Sequence, residues 1–153
     1  MEFEVEDDPD PLDFELLEAK VRREASASMG LGDGVELAIF VRDAGQVVAG
    51  ITGWTWGDSC ELQSLWVEPS LRGRGLGSRL VAAAEAEAAA RGCSQTVHFT
   101  YDFQTGRLYE RAGYECVGRV EGFPSGADVL WYRKSLNRST ERHSAAAESK
   151  KRS

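Results

Sequence analysis

A glycine- and arginine-rich stretch is the part of this 153-residue sequence whose residue types and spacing indicate chemistry most directly. It lies between an apolar run and a helical pattern, and its glycines alternate with other residues at Gly73, Gly75 and Gly77. Glycine lacks a Cβ atom, so the backbone can approach a ligand closely. The first amides of a helix have no intrahelical partner and lie at the positive end of its dipole. With Arg72, Arg74 and Arg79, they predict a site for phosphate oxygens.

Three other ligand-binding motifs fit this stretch less well. A dinucleotide-binding fingerprint needs G-x-G-x-x-G, whereas the spacing here is G-x-G-x-G, and no acidic residue is evident after a second strand. A Walker loop needs G-K-[ST], which the sequence lacks. An RNA-binding RGG segment would be a disordered repeat rather than one strand-to-helix turn. A glycine-rich turn with incidental arginines is the remaining alternative.

Periodicity and turn residues predict the elements that position this stretch. Helices are expected over 12–29, 75–92 and 104–112, and strands over 35–43, 46–56, 60–67, 94–101, 114–120 and 127–136. The sequence GLGDG at 30–34 leads out of a helix into a strand, so we interpret it as a plain turn. The order αβββαβαββ predicts a single domain of the α/β or α+β class, with helices on the faces of a sheet.

Two separated motifs resemble one known family. The segment from Arg72 to Gly77 reads R-x-x-G-x-G. It resembles the R/Q-x-x-G-x-G/A signature of the GNAT superfamily of acetyl-CoA-dependent N-acetyltransferases. The stretch YDFQTGRLYERAGYECVGRVEGFPSG is similar to the family's later block through Leu108–Tyr109 and Gly113–Tyr114. The resemblance covers residues 35–136 and implies a GNAT-like mixed, mostly antiparallel central sheet flanked by helices.

The resemblance also implies where acetyl-CoA binds. In the family the pyrophosphate lies on the loop that corresponds to Arg72, Gly73, Arg74, Gly75, Leu76, Gly77 and Ser78. The pantetheine arm bonds to the backbone of the preceding strand end, which corresponds to Leu65, Trp66 and Val67. One departure is Asp102, where many members have an asparagine that contacts the cofactor. A carboxylate cannot donate a hydrogen bond as an amide can, so that contact is not carried over.

The resemblance further implies two catalytic residues. The tyrosine at Tyr109 commonly protonates the leaving CoA thiolate in the family, and one branch uses a glutamate that corresponds to Glu61 as general base. A base is needed because an alkyl amine, with a pKa near about 10, is protonated at neutral pH and cannot attack a thioester. Asp58, Glu68 and bulk water stay open as alternatives to Glu61.

Strand alternation suggests the surroundings of these residues. It predicts one shared strand face for Glu61, Gln63, Leu65 and Val67. His98 alternates with apolar neighbours and is interpreted as a structural histidine. Trp54 and Trp56 share a face and are either core residues or a wall of an acceptor pocket.

Composition limits the partners. The formal net charge is -7, and residues 1–18 carry nine acidic side chains and no basic one. This charge predicts a cationic acceptor, with no nucleic acid or anionic membrane as partner. The three cysteines form no CxxC pair and there are two histidines, so we expect no metal site. Free cysteines and the lack of a signal sequence predict a cytoplasmic protein.

These observations predict an acetyltransferase domain over residues 1–137, with an acidic segment at 1–11 and a disordered tail at 138–153. The expected reaction moves an acetyl group from acetyl-CoA to a primary amine on a small cationic molecule. The alternatives are acetylation of a protein lysine or N-terminus, and a non-catalytic acetyl-CoA-binding module. The sequence leaves open whether the protein is a homodimer.

Overall fold

The helices and strands follow the predicted order αβββαβαββ. The computed structural model describes Phe3 and residues 5–136, so the tail expected at 138–153 lies outside the described residues. The elements are α1 Pro11–Met29, β1 Val35–Asp43, β2 Gln46–Trp56, β3 Ser59–Val67, α2 Leu76–Ala90, β4 Gln95–Tyr101, α3 Gly106–Arg111, β5 Glu115–Val120 and β6 Val129–Ser135. A short 3₁₀ turn at Pro69–Leu71 separates β3 from the glycine-rich loop. Helix α1 belongs to a compact unit that ends at Gly34, and the strands belong to a second unit.

Local residues explain both ends of α1. The Asp10 side chain accepts a hydrogen bond from the Leu12 amide at 2.9 Å, and Pro11 occupies the first helical position. Gly30 ends the helix in the left-handed conformation, with φ of 66°. The segment 30–34 is therefore the predicted turn and not a phosphate-binding loop at the start of a helix.

A two-residue turn joins β1 and β2. Ala44 and Gly45 have φ values of 45° and 82°, as a tight hairpin with the right-handed twist of its strands requires. The register pairs Asp43 with Gln46 directly across this turn. The predicted hairpin is confirmed with the strand bounds expected from the sequence.

One parallel pair interrupts an otherwise antiparallel sheet. The strand order is β1-β2-β3-β4-β6-β5, and only β3 and β4 run parallel within the described residues. Their pairing runs from Ser59 opposite Gln95 to Leu62 opposite His98 and then stops. Both strands continue beyond that point, so they diverge toward their carboxyl ends. The mixed, mostly antiparallel GNAT-like sheet is thereby confirmed.

A β-bulge at Gln63 corrects one expectation about strand faces. Thr52 pairs with Ser64 and Gly53 pairs with Leu62, so Gln63 is an extra residue that has no paired residue on β2. The extra residue reverses the alternation beyond it, and Leu65 packs on the core face. Glu61, Gln63, Leu65 and Val67 therefore do not share one face, because Glu61 lies opposite Trp54 on the other side of the sheet.

Helix α2 covers the core face of the sheet with small side chains. Its buried residues are Leu80, Val81, Ala84 and Ala88. They join a cluster with buried residues of β1, β2, β3 and α3. Small residues let a helix lie close to a sheet, as the alanine-rich pattern predicts. The opposite side of the sheet, which carries Trp54, Glu61 and Trp66, is called the outer face below.

We expect Gly53→Ala to destabilise the fold strongly. An added Cβ would overlap the Glu61 carbonyl oxygen and come within 3.1 Å of the Leu62 Cα atom, and both are backbone atoms at the bulge. Overpacking of this kind costs about 1–3 kcal/mol, which we expect thermal unfolding to report as a drop of several degrees. The matched control is Gly32→Ala, because no atom lies within 4 Å of its added Cβ. Equal melting temperatures for the two variants would contradict this description of the bulge.

Candidate active site

The diverging ends of β3 and β4 enclose a cleft of about 1110 Å³. Ligands of open sheets bind where parallel strands end and separate, and this cleft lies at the carboxyl ends of the one parallel pair described here. Its walls come from the end of β3, the following loop, the start of α2, the end of β4 and α3. We call it the β3–β4 cleft.

The glycine-rich loop forms one end of the β3–β4 cleft. Gly73 and Gly75 have φ values of 74° and 78°, which side chains other than glycine rarely adopt. Gly75 caps α2 without a side-chain hydrogen bond, and the first helical bond runs from the Arg79 amide to the Gly75 carbonyl at 3.1 Å. The amides of residues 76–78 precede this bond and therefore have no partner inside the helix.

Nine of the ten predicted cofactor residues line the β3–β4 cleft: Leu65, Trp66, Val67, Arg72, Gly73, Gly75, Leu76, Gly77 and Ser78. Arg74 does not line it. Arg72 also ties the loop to the strand before it, because its Nε donates to the Val67 carbonyl at 2.9 Å. Arg111, which the sequence did not single out, reaches the wall from the end of α3. Only the folded chain brings it there.

Glu61 lies on the outer face, just before β3 and β4 separate. It is opposite Val97 of β4, one position before the last pair, and it does not line the β3–β4 cleft. The Trp54 indole Nε1 donates to Glu61 Oε2 at 2.9 Å and so holds one carboxylate oxygen. Trp54 stacks in turn on Trp56 with ring centres 5.8 Å apart, and this stacking helps to fix the indole that holds Glu61.

The two alternative acids lie at the two ends of β3. Asp58 lies in the turn before β3, at the end of the strand remote from the cleft, and its carboxylate accepts hydrogen bonds from Ser59 and Ser94 at 3.1 Å each. Glu68 precedes the 3₁₀ turn, and its amide donates to the Val48 carbonyl. Neither residue lines the β3–β4 cleft.

Tyr109 lies behind the wall of the cleft. Its side chain is completely buried and is not among the lining residues. Its hydroxyl has no hydrogen-bond partner among the described residues. Burial, with a smaller effect from the Glu85 carboxylate, raises the pKa of the hydroxyl well above its usual value. The role of Tyr109 as the acid stays a prediction, and it requires the hydroxyl to reach the cleft.

His98 stands between Tyr109 and the cleft. The residue lines the cleft, and its ring stacks on the Tyr109 ring with centres 4.1 Å apart. Its Nδ1 lies 2.7 Å from the Leu62 carbonyl oxygen. Burial lowers the pKa of the imidazole despite that hydrogen bond. The position also marks the last pair of β3 with β4, which a single sequence does not disclose.

Comparisons with known proteins agree with this geometry. The sequence profile of the acetyltransferase (GNAT) family matches residues 2–114. An acetyltransferase of Agrobacterium fabrum is 34% identical over 109 residues, which cover 71% of this chain and 80% of that protein. The chain belongs to the GNAT acetyltransferase family.

Two further relatives of this GNAT chain are informative. A blasticidin-S acetyltransferase of Streptomyces morookaense is 38% identical over 88 residues, which span 55% of this chain and 62% of that protein. A crystal structure of a candidate acetyltransferase from Agrobacterium tumefaciens superposes with a TM-score of 0.79 at 29% identity. That superposition covers 88% of this chain and 99% of the other.

Two features of the described residues of the GNAT chain concern metal ions and membranes. No cluster of three or more histidine, cysteine, aspartate or glutamate side chains there could hold a metal ion. No helix in that part of the chain is long and apolar enough to span a membrane.

Proposed function

We propose that the protein transfers an acetyl group from acetyl-CoA to a primary amine on a small cationic molecule. The observation that carries the proposal is the β3–β4 cleft, which joins the glycine-rich loop at one end to the outer face near Glu61 at the other. The cofactor can thus enter from one side of the sheet and the amine from the other. Membership of the GNAT family supports acetyl-CoA as the donor.

The loop and the end of β3 suit the two polar parts of the cofactor. The free amides of residues 76–78, together with the Arg72 guanidinium, would hold the pyrophosphate. The residues from Leu65 to Val67 pair with β2 but not with β4, so the other edge of β3 faces the cleft, where Arg72 engages the Val67 carbonyl. The amide groups of the pantetheine arm can hydrogen-bond to that edge as an added strand would.

The outer face suits a cation. The aromatic residues Trp66, Phe99 and Trp131 are 45%, 38% and 41% exposed, so they remain accessible to a ligand. Trp66 and Phe99 lie on opposite walls of the cleft, and Phe99 contacts Trp131 with ring centres 5.2 Å apart. Aromatic faces attract ammonium groups, and the net charge of -7 adds a long-range attraction. Similarity to a blasticidin-S acetyltransferase favours such an acceptor.

Glu61 is the proposed general base. It lies on the outer face one position before the last pair of β3 with β4, and Ser64 and Phe99 line the cleft just beyond it. Directly or through a water molecule, it would take the first proton from the ammonium group and so produce the neutral amine that attacks the thioester. The Trp54 hydrogen bond fixes the carboxylate for this task.

A panel of amines tests the proposal and its alternatives. Free CoA is measured with blasticidin S, spermidine, a lysine-containing peptide and a neutral alcohol of similar size. We expect release with at least one small cation and no release with the alcohol. Release with the peptide alone would favour a protein acetyltransferase. Binding of acetyl-CoA without turnover of any amine would favour a non-catalytic module.

As part of the proposal we place the reaction in the cytoplasm, because the described cysteines are free thiols.

A further inference from the structure

We propose that His98 is a catalytic residue, which carries the last amine proton to the departing CoA sulfur. This inference rests on the proposed function, because it assigns a step within the same acetyl transfer. The sequence alone favoured a structural histidine here. Three features of the structure support the catalytic role: the position of the ring, the direction of its nitrogens and the burial of the neighbouring tyrosine.

The position comes first. His98 is opposite Leu62 in the last pair before β3 and β4 separate, so it stands at the inner end of the cleft. His98 lines the cleft while only 4% of the residue is exposed. Pantetheine that follows the cleft-facing edge of β3 inward from the loop would bring its sulfur toward this end. The imidazole is therefore on the path of the reacting group.

The hydrogen bond to Leu62 determines which nitrogen is available. A carbonyl oxygen only accepts, so Nδ1 must carry a hydrogen and donate it over the 2.7 Å contact. The ring has no other hydrogen bond among the described residues. In the neutral imidazole Nε2 is then the unprotonated nitrogen, and it is free to bond to a ligand in the cleft that His98 lines. Burial, which lowers the pKa of His98, favours this neutral form at pH 7.

The other polar groups around the His98 ring are less suited to transfer this proton. Tyr109 stacks on one side of the ring, but its hydroxyl is buried and is not part of the wall. Tyr132 lies opposite His98 on β6, and its hydroxyl is engaged with Glu110 at 2.9 Å. Glu61 is the carboxylate whose charge acts on the imidazole, and it lies on the outer face. Among these groups, only His98 presents an available titrating atom to the cleft.

The proposed step balances in atoms and charge. The neutral amine attacks the thioester carbonyl carbon and a carbon–nitrogen bond forms. The carbonyl π pair moves to oxygen, from which it returns when the sulfur departs, and the nitrogen becomes positively charged. His98 Nε2 accepts a proton from that nitrogen. The carbon–sulfur bond breaks with its electron pair on sulfur, and the imidazolium returns the proton to the thiolate. The products are the amide and free CoA, and His98 is neutral again.

Single-turnover rates test this step, because slow product release cannot mask them. The amine is the one that the wild-type protein turns over fastest. His98→Asn keeps an amide donor where Nδ1 lies but removes Nε2, and we expect the acetyl-transfer rate to fall about 100-fold. The affinity for acetyl-CoA, measured by calorimetry, should change less than about threefold. Tyr132→Phe is the matched variant: it removes a hydroxyl from the residue opposite His98 that bonds to Glu110, and it should slow transfer less than about threefold.

Chemical rescue separates chemistry from packing. In His98→Ala, added imidazole can occupy the space of the missing ring, and we expect it to restore at least a tenth of the wild-type rate. A transfer rate of His98→Asn within threefold of wild type would overturn the proposal. So would a slow His98→Ala that imidazole does not restore, because the histidine would then act through packing. Either result leaves the proposed function intact if wild-type protein binds acetyl-CoA and releases CoA. If the wild-type protein released CoA with none of the amines, both the proposed function and the catalytic role of His98 would be overturned.

Discussion

Replacing Glu61 with glutamine is expected to slow acetyl transfer about 100-fold at pH 7. The amide keeps an oxygen that can accept the Trp54 indole hydrogen bond, so the strand and its neighbours should be undisturbed. It cannot take a proton from an ammonium group, and positioned bases contribute about 100- to 10,000-fold. The measurement is kcat/KM for the amine at saturating acetyl-CoA.

The rate deficit of Glu61→Gln is expected to become smaller as the pH rises. An alkyl amine has a pKa near about 10, so the fraction of neutral amine rises tenfold per pH unit below that value. At higher pH more of the amine is already neutral, so the general base contributes less. The deficit of Glu61→Gln in kcat/KM should therefore shrink between pH 7 and pH 9.5. A deficit that is constant with pH would indicate that Glu61 acts through binding or packing. Wild-type rates in Glu61→Gln would contradict its role as the general base. The alternatives Asp58 and Glu68 would then be tested with Asp58→Asn and Glu68→Gln.

Reversing the charge at Arg72 is expected to weaken acetyl-CoA binding about 100-fold. Arg72 lines the cleft beside the free amides of α2, whereas a carboxylate there would repel the pyrophosphate. Charge-assisted hydrogen bonds contribute about 1.5–3 kcal/mol each, and a loss of about 3 kcal/mol corresponds to this factor. The Kd is measured by calorimetry with wild-type protein and Arg72→Glu.

Arg74 provides the matched control for Arg72. It lies two residues away in the same loop and is also exposed, but it does not line the cleft. We expect Arg74→Glu to weaken binding less than about fivefold, through long-range repulsion alone. Without ligand, both variants should melt within about 3 °C of wild type. Equal losses of affinity would show that the loop acts by its overall charge and not through Arg72.

The glycine-rich loop could be predicted from sequence because its structure is decided locally. Glycines at positive φ, the proline turn and the alanine-rich helix each follow from residues next to one another. The same holds for the Ala44–Gly45 hairpin and for the ends of α1. These elements depend little on partners distant in sequence, so the periodicity and turn rules were sufficient.

The faces of β3 could not be predicted in the same way. Strand alternation assumes a regular ladder, and the bulge at Gln63 exists only in the register with β2. The crowded contact of Gly53 with the Glu61 backbone accompanies it. A lone glycine within an apolar strand pattern can indicate such a bulge, but it does not say which residue of the partner strand is extra.

The catalytic environment was the least predictable part of the site. The family resemblance assigned the acid to Tyr109, yet the orientation of this side chain depends on packing among α3, β4 and β6. His98 became a candidate only because the pairing of β3 with β4 ends beside it. Where two parallel strands separate is a property of the whole sheet, and no local pattern in the sequence encodes it.

Amide hydrogen exchange with and without acetyl-CoA is the most direct test of the site. Occupation of the β3–β4 cleft predicts slower exchange in two segments, the end of β3 at 64–67 and the loop with the first turn of α2 at 72–79. The β1–β2 hairpin turn, which does not line the cleft, should be unchanged and serves as the internal control. Protection of another surface, with 72–79 unaffected at saturating acetyl-CoA, would contradict the assignment of this cleft to the cofactor.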